Sequence, residues 1–245
     1  MKLKIVTPIV VDKAECERRT KGYKPALRKD TKIKVVSIKQ GPTYLDYYFE
    51  HLGSEYGVLL EGEKAEKEGY DAVIPDCVFD PATKALKGKL DIPVVAPLET
   101  AIHIAATLGK KFSVLGLDDN MSKILEDRVK EYGLGDKLAS VRSMGITYQE
   151  LLGGHSEQII LKKVIKSGRL AVEEDGADVI VLGCTCTFGR EIMQKKLGVP
   201  VIEPGVLAAK LVEVFLDMNL KQSKKAYPAS TKKYEKRFPL RLDKT

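Results

Sequence analysis

Disulfide-rich, zinc-binding and membrane-spanning architectures are disfavoured, because the residues that each of them needs are scarce. The 245 residues include only four cysteines and three histidines. Four cysteines are too few for a disulfide scaffold, and the histidines show no ligand spacing. The sequence has no run of about 18 uncharged apolar residues, and residues 1–6 alternate like a strand rather than a signal peptide. We therefore expect a cytoplasmic protein with reduced thiols, no metal and no membrane contact.

The positive charge is concentrated in two segments, residues 13–34 and the tail from Lys221 to Lys244. The net charge of +7 is compatible with nucleic-acid binding. Neither segment contains a zinc finger, a helix-turn-helix signature or the paired aromatic residues of an RNA-binding sheet. A solvated basic surface is the preferred interpretation, and we expect no nucleic-acid partner.

Short β-rich runs alternate with longer amphipathic runs along the whole chain. This alternation is typical of βα units and predicts an α/β fold with parallel sheets. The candidate strands are residues 3–6, 33–38, 72–75, 94–96, 112–117, 138–142, 179–182 and 201–202.

An internal repeat divides the chain into two similar halves. Residues that punctuate the first half recur 107 positions later without a gap. The matched pairs are Gly69 and Gly176, Asp71 and Asp178, Cys77 and Cys184, Leu90 and Leu197, Pro93 and Pro200, and Pro97 and Pro204. Each copy is interpreted as a helix end, a buried strand, a cysteine, a helix and a final short strand. The repeat predicts two pseudo-symmetric domains, each a short parallel sheet flanked by helices.

Cys77 and Cys184 each directly follow a short apolar strand in this repeat. Ligands of open parallel sheets bind outside the carboxyl ends of the strands. We therefore expect both thiols near helix N-termini, which lower a thiol pKa. If the halves face one another, the two cysteines flank a single cleft between the domains.

Two thiols on opposite sides of a substrate meet the geometric demand of racemisation. One removes a proton from a carbon next to a carbonyl, and the other returns a proton to the opposite face. Backbone N–H groups at Val78, Phe79, Thr185 and Cys186 are predicted to stabilise the oxyanion. The competing interpretation treats each cysteine as a small buried hydrophobic residue. Cys16 is assigned to packing, and Cys186 to packing at the cleft wall.

The two cysteine motifs resemble those of hydantoin racemases in the aspartate/glutamate racemase superfamily. The similar segments are Cys77-Val78-Phe79-Asp80-Pro81, residues 92–95 and 99–101, Leu182-Gly183-Cys184-Thr185, Gly41-Pro42 and residues 223–228. The resemblance covers nearly the whole chain. It implies catalysis by Cys77 and Cys184 without metal or pyridoxal phosphate, a small-molecule substrate and a homo-oligomer. It also implies that residues 205–245 return to a first domain of residues 1–96, with residues 97–204 as the second.

Two departures from the family pattern bear on the substrate. Val78 and Phe79 replace the hydroxyl or amide side chains that help amino-acid racemases hold a carboxylate, so a 5-substituted hydantoin is favoured. Thr7, Pro8 and Ile9 stand where hydantoin racemases carry an Asn-Pro-Asn-type loop, and Thr7 is expected to act as a donor. Residues 12–30 are then expected to fold over the cleft. Thr7, Pro8 and Gly41 join Val78, Phe79, Thr185 and Cys186 as predicted substrate-binding residues.

Three other functions remain open on the same scaffold. They are an aspartate or glutamate racemase, a cis–trans isomerase or decarboxylase, and a ligand-binding protein without turnover. A diacid needs several donors, which the Val78-Phe79 pair does not offer, and a decarboxylase would need only one cysteine. Glu99 and Glu203 flank the short fourth strands of the two halves and are within possible reach of the cleft, and capping or supporting roles are favoured for them.

Overall fold

Seven strands in the described part of the chain form two separate parallel sheets. A computed structural model describes residues 1–154, 157–187 and 189–229. The first sheet has the order β2-β1-β3 and the second the order β5-β4-β6-β7. The strands are β1 (Lys2–Thr7), β2 (Lys32–Ser37), β3 (Ala72–Pro75), β4 (Phe112–Gly116), β5 (Leu138–Ser143), β6 (Val179–Leu182) and β7 (Val201–Ile202). The predicted α/β class with parallel sheets is confirmed, but the expected strand at 94–96 is a single bridge between Val73 and Val94.

The helices connect successive strands and cover both sheets. They are α1 (Lys13–Tyr23), α2 (Tyr48–Gly62), α3 (Thr83–Lys89), α4 (Pro97–Leu108), α5 (Asp119–Glu131), α6 (Glu157–Glu173), α7 (Arg190–Leu197) and α8 (Pro204–Asp217). Asp12 and Asp118 start α1 and α5 by accepting hydrogen bonds from the third following backbone N–H, which satisfies a donor that the helix leaves unpaired. Within the described ranges, no helix is both long and apolar enough to cross a membrane.

The sequence repeat is also a repeat of backbone contacts. The Asp71 carboxylate accepts from the Lys2 backbone N–H, and the Asp178 carboxylate accepts from the Lys111 backbone N–H. Gly69 and Gly176 both have φ = +74°, a conformation that glycine adopts without a steric cost. The third strand of each half, β3 in the first and β6 in the second, is therefore held in the same way.

Two hydrophobic cores lie against the first sheet and one larger core lies against the second. Leu3 and Ile5 of β1 pack with Val206 and Val212 of α8, so the last helix lies against the first sheet. The core of the second sheet includes Val78 and Phe79 from the first half. The halves are therefore packed together beside Cys77. The exact domain boundaries stay a prediction, and residues 230–245 of the predicted tail lie outside the described residues.

The basic segment 12–30 reaches the cleft through Arg19, which lines it, but it is built as a connection within the first sheet. Its main element, α1, is the crossover helix between β1 and β2. The end of the segment is attached to α8, because Glu213 accepts from the Arg28 backbone N–H and the Thr31 hydroxyl. A parallel pair of strands needs such a crossover, so the segment is an ordinary part of the first sheet's βα unit.

Candidate active site

A cleft opens where the carboxyl ends of β3 and β6 approach each other. Its empty volume is about 430 Å³, part of it open to solvent. The Thr185 hydroxyl donates to the Asp76 carbonyl over 3.1 Å, which joins the two halves at the floor of the cleft. The lining residues are Pro8, Ile9, Arg19, Tyr44, Leu45, Asp46, Asp76, Cys77, Val78, Phe79, Leu117, Met121, Tyr148, Cys184, Thr185 and Cys186.

Most of the residues predicted from the sequence meet in this cleft. Cys77 and Cys184 line it together, with their side chains largely buried. Pro8, Val78, Phe79, Thr185 and Cys186 also line it. Thr7 and Gly41 do not. The Thr7 hydroxyl is buried and donates to the Ile9 carbonyl, and Gly41 lines a separate groove beside α2.

Both cysteines sit in turns that present a backbone N–H to the sulfur. The Cys186 N–H donates to the Cys184 Sγ over 3.4 Å, and the Phe79 backbone N–H lowers the pKa of the Cys77 thiol against the effect of burial. In each case the donor lies two residues after the cysteine. A donor at the sulfur stabilises the thiolate. The oxyanion role of the N–H groups of Phe79 and Cys186 stays a prediction.

The expected proximity of the thiols to helix N-termini is wrong. Helix α3 begins only at Thr83 and α7 only at Arg190, several residues after the cysteines. Burial raises the pKa of Cys77 to about 12. A hydrogen bond with Cys186, followed by burial, raises the pKa of Cys184 well above its ordinary value. Both pKa shifts favour the neutral thiol at neutral pH.

A buried ionic network beneath Cys77 was not anticipated. The Arg19 guanidinium of α1 donates to Asp76 over 2.8 Å, to Glu15 over 2.8 Å and to the Tyr148 hydroxyl over 3.0 Å. The Tyr23 hydroxyl donates to the other Asp76 oxygen. Burial, followed by the Asp76 charge, raises the pKa of Tyr23 well above its usual range. Asp76 could have been singled out from the sequence, because it immediately precedes Cys77. Arg19 could not, because nothing in the sequence of the basic helix distinguishes it from the solvated basic residues beside it.

Cys186 has a more specific environment than the predicted packing role. Its pKa is lowered by a hydrogen bond from Cys184 and by the nearby Arg19 cation, against the effect of burial. It therefore carries thiolate character more readily than Cys77 or Cys184. Cys16 is half-buried and packs against the core of the first sheet, as predicted.

The acidic residues next to the cleft have structural roles. Asp80, in the Cys77 motif, accepts from the backbone N–H groups of Leu98 and Glu99 and from the Tyr132 hydroxyl. Burial raises the pKa of Asp80 to about 7. Asp80 therefore ties the turn of the first cysteine to the start of α4.

Glu99 and Glu203 have the supporting roles favoured by the sequence. Glu99 accepts from the Lys87 ammonium. Glu203 accepts from the backbone N–H groups of Gly189 and Arg190 and thereby caps α7. In the part of the chain that the structure describes, no three His, Cys, Asp or Glu side chains are placed to hold a metal ion.

The fold and the cleft define a two-domain α/β protein with thiols where its halves meet. The chain matches the family model described as Asp/Glu/Hydantoin racemase over residues 14–212. A hydantoin racemase from Pseudomonas sp. (strain NS671) is 34% identical over 242 residues, which cover 95% of this chain and 93% of the relative. A hydantoin racemase from Paenarthrobacter aurescens is 31% identical over 209 residues, with 83% and 86% covered. The chain belongs to the Asp/Glu/hydantoin racemase family.

Solved structures agree with this placement. Allantoin racemase from Pseudomonas fluorescens superposes with a TM-score of 0.88 at 27% identity, covering 95% of this chain and 98% of that one. Arylmalonate decarboxylase superposes with a TM-score of 0.60 at 16% identity, covering 87% and 92%. The second likeness is a likeness of fold alone.

Proposed function

We propose that this protein is a cofactor-independent racemase in which Cys77 and Cys184 transfer protons on opposite faces of a 5-substituted hydantoin. The observation that carries the proposal is the matched pair of cleft thiols. Each thiol follows the third strand of its own half and lines the same cleft. The Cys186 N–H donates to the Cys184 sulfur, and the Phe79 backbone lowers the pKa of the Cys77 thiol. The membership in a racemase family supports the reaction class.

The reaction needs one thiolate and one thiol at a time. In one direction the Cys77 thiolate removes the proton from the ring carbon next to the carbonyl, and the electron pair moves into the carbonyl to form an enolate. The Cys184 thiol then donates its proton to the opposite face, which leaves Cys77 as thiol and Cys184 as thiolate. The opposite enantiomer uses the same two groups in exchanged roles.

The raised thiol pKa values suit a carbon acid. A thiolate of higher basicity is closer to the basicity of the carbanion, so that proton removal is less uphill. The accompanying disadvantage is a small thiolate fraction at neutral pH. The N–H donors at Phe79 and Cys186 offset part of this effect by stabilising the thiolate form.

The charges of the cleft favour a neutral ring over a free amino acid. Among the charged lining residues, Arg19 is already bound to Asp76 and Glu15, and Asp46 would repel a carboxylate. The remaining wall is largely apolar, with Leu45, Val78 and Phe79 among its members. A hydantoin with an apolar substituent therefore fits this cleft better than aspartate or glutamate.

The direct test follows the loss of optical rotation of enantiopure 5-benzylhydantoin, with allantoin, L-aspartate and L-glutamate as alternatives and a correction for spontaneous racemisation. Cys77→Ala and Cys184→Ala should each lower kcat by roughly 10²–10⁴-fold, the usual size of a general acid–base contribution. Cys16→Ala, a half-buried cysteine outside the cleft lining, is the matched control and should retain activity. Retained activity in either cleft variant would contradict the two-thiol mechanism. Turnover of the amino acids alone would contradict the substrate assignment.

A further inference from the structure

The turn after β6 holds two thiols, Cys184 and Cys186, in one wall of the cleft. Thr185 separates them in the chain, and both cysteine side chains are buried in the cleft lining. The equivalent turn of the first half has one thiol, Cys77, with Phe79 at the position of Cys186. A mechanism that takes one thiol from each half does not use Cys186, so the second thiol of this turn needs a separate explanation.

The sulfur of Cys184 lies against the backbone of Cys186. The Cys186 N–H donates to the Cys184 Sγ over 3.4 Å, and the Cys186 Sγ is separated from that nitrogen by only its own Cα and Cβ. The two side chains also share a hydrogen bond. Two Cα atoms that are two positions apart are separated by about 7 Å at most, and the turn at residues 185–186 shortens this distance. A disulfide spans roughly 4.4–6.8 Å between Cα atoms, so the two sulfurs can be joined with the turn in place.

Two cationic side chains of α1 lie next to the second thiol. Arg19 lines the cleft together with Cys186, and Arg18 donates to the Cys186 carbonyl over 3.4 Å. The hydrogen bond from Cys184, with the Arg19 cation, lowers the pKa of Cys186 against the effect of burial, whereas the pKa of Cys184 is raised. The thiolate is the form of cysteine that attacks an oxidant. Cys186 is therefore the first of the pair to react.

We infer that Cys186 is a site of reversible oxidation by a hydroperoxide and that it then closes a disulfide with Cys184. The Cys186 thiolate attacks one peroxide oxygen, which forms an S–O bond and breaks the O–O bond. The other oxygen leaves with the proton that Cys186 had lost, as an alcohol or water, and Cys186 becomes a sulfenic acid. The Cys184 sulfur then attacks the Cys186 sulfur, so that the S–S bond forms, the S–O bond breaks and hydroxide leaves with the Cys184 proton as water. Two thiols are thus oxidised by two electrons, and one O–O bond is reduced.

The disulfide removes the proton-transfer group of the second half. Cys184 can neither accept nor donate a proton once its sulfur is bonded to Cys186, while Cys77 keeps its thiol. Exchange with a dithiol breaks the S–S bond and restores both thiols. Oxidation therefore switches the racemase off and reduction switches it on again. This consequence for activity rests on the proposed function, whereas formation of the disulfide does not.

The first test treats the full-length protein with hydrogen peroxide, blocks the remaining thiols with iodoacetamide under denaturing conditions and measures the tryptic peptide of residues 170–190. This peptide contains both cysteines, so it should lose two hydrogen atoms and carry no label. Cys77→Ala and the matched control Cys16→Ala should form the same disulfide, and Cys186→Ala should not. A peptide that stays fully labelled, a disulfide from either cysteine to Cys77, or a Cys186 sulfinic acid without a disulfide would overturn the proposal.

The second test follows racemisation of 5-benzylhydantoin after peroxide treatment, with each protein compared with its own untreated activity. Loss of activity in the wild type should match the amount of disulfide, and dithiothreitol should restore the untreated activity. In Cys186→Ala no adjacent thiol traps a Cys184 sulfenic acid, so prolonged treatment should produce the sulfinic acid, which dithiothreitol does not reduce. Equal recovery of the two proteins, or full activity of the disulfide form, would contradict the switch. Disulfide formation in a protein that racemises no hydantoin would support the oxidation site and contradict the proposed function.

Discussion

The turns that carry Cys77 and Cys184 share one backbone arrangement and differ in the side chains around it. The Asp76 N–H donates to the Val6 carbonyl over 2.8 Å, and the Gly183 N–H donates to the Leu115 carbonyl over 2.8 Å. Each cysteine follows directly. In the first half the preceding residue is a carboxylate bound to Arg19, whereas in the second half it is a glycine.

The difference arises from what approaches each turn. A side chain at position 183 would collide with the Leu115 backbone, so only glycine fits there. The corresponding position in the first half has room for the Asp76 carboxylate, which receives its cation from α1. The halves differ again two residues after each cysteine. The first half has Phe79 at this position of the repeat, and the second half has Cys186. Duplication therefore conserved the placement of two thiols, and the surrounding charges diverged.

The largest expected effect concerns the ionic network around Asp76, whose position in the repeat is taken by Gly183 in the second half. Arg19→Met would leave Asp76 buried without its cation, and breaking a buried pair in this way costs about 3–5 kcal/mol. Urea unfolding followed by circular dichroism measures the loss. Arg18→Met, at the adjacent and 40% exposed side chain, is the control and should cost less than about 1 kcal/mol. Equal losses in the two variants would show that the network does not stabilise the first half.

The next effect concerns the glycine that only the second half requires. Gly183→Ala would force the new Cβ against the Leu115 backbone, with a cost of about 1–3 kcal/mol from overpacking. Because Cys184 follows directly, kcat should fall as well, by up to roughly 100-fold for a displacement near 1 Å. Gly135→Ala adds a Cβ at an ordinary 3.4 Å from the Lys130 side chain and is the control. Wild-type stability and kcat in Gly183→Ala would contradict the close approach.

A smaller effect is the expected difference between Cys77 and Cys186 in how their labelling rates depend on pH. Only thiolate reacts with iodoacetamide, and burial holds the pKa of Cys77 at about 12. Labelling of Cys77, followed by mass spectrometry of its peptide, should therefore rise about tenfold for each pH unit from 7 to 10. Labelling of Cys186, whose pKa is lowered, should level off within that range. Because each slope is taken at one cysteine, a difference in how easily the reagent reaches the two thiols does not affect the comparison. A Cys77 labelling rate that levels off near pH 8 would contradict the raised pKa of Cys77.

The smallest expected effect comes from replacing Cys186. Its hydrogen bond raises the pKa of Cys184, so Cys186→Ala, which removes that bond, should move the labelling profile of Cys184 to lower pH. The profile of Cys77, which has Phe79 at the equivalent position, should not move and serves as the internal control. A shift of both profiles, or of neither, would show that Cys186 does not tune its neighbour.

The parts of this molecule that depend on short-range patterns could be predicted from the sequence. The repeat located β3, β6 and both cysteines, because Gly69 and Gly176 and the following strands obey local rules. Arg19 could not be recognised, because its burial depends on Asp76 and Tyr148, which are distant in the sequence. The helix starts were placed too early, since the residues between Cys77 and Thr83 form turns. The raised pKa of Cys77 follows from burial, which no pattern of neighbouring residues reports.

The central claim is that each half supplies one proton-transfer group, and deuterium incorporation by the wild-type protein tests it most directly. Enantiopure 5-benzylhydantoin is converted in heavy water to about 10% and the two enantiomers are separated. A thiol carries a single exchangeable proton, so a proton taken by Cys77 cannot be returned by Cys184. The account therefore predicts solvent deuterium at the ring carbon of the product enantiomer from the earliest turnovers. Product that retains the proton of the substrate would show one group acting on both faces and would contradict the two-thiol mechanism.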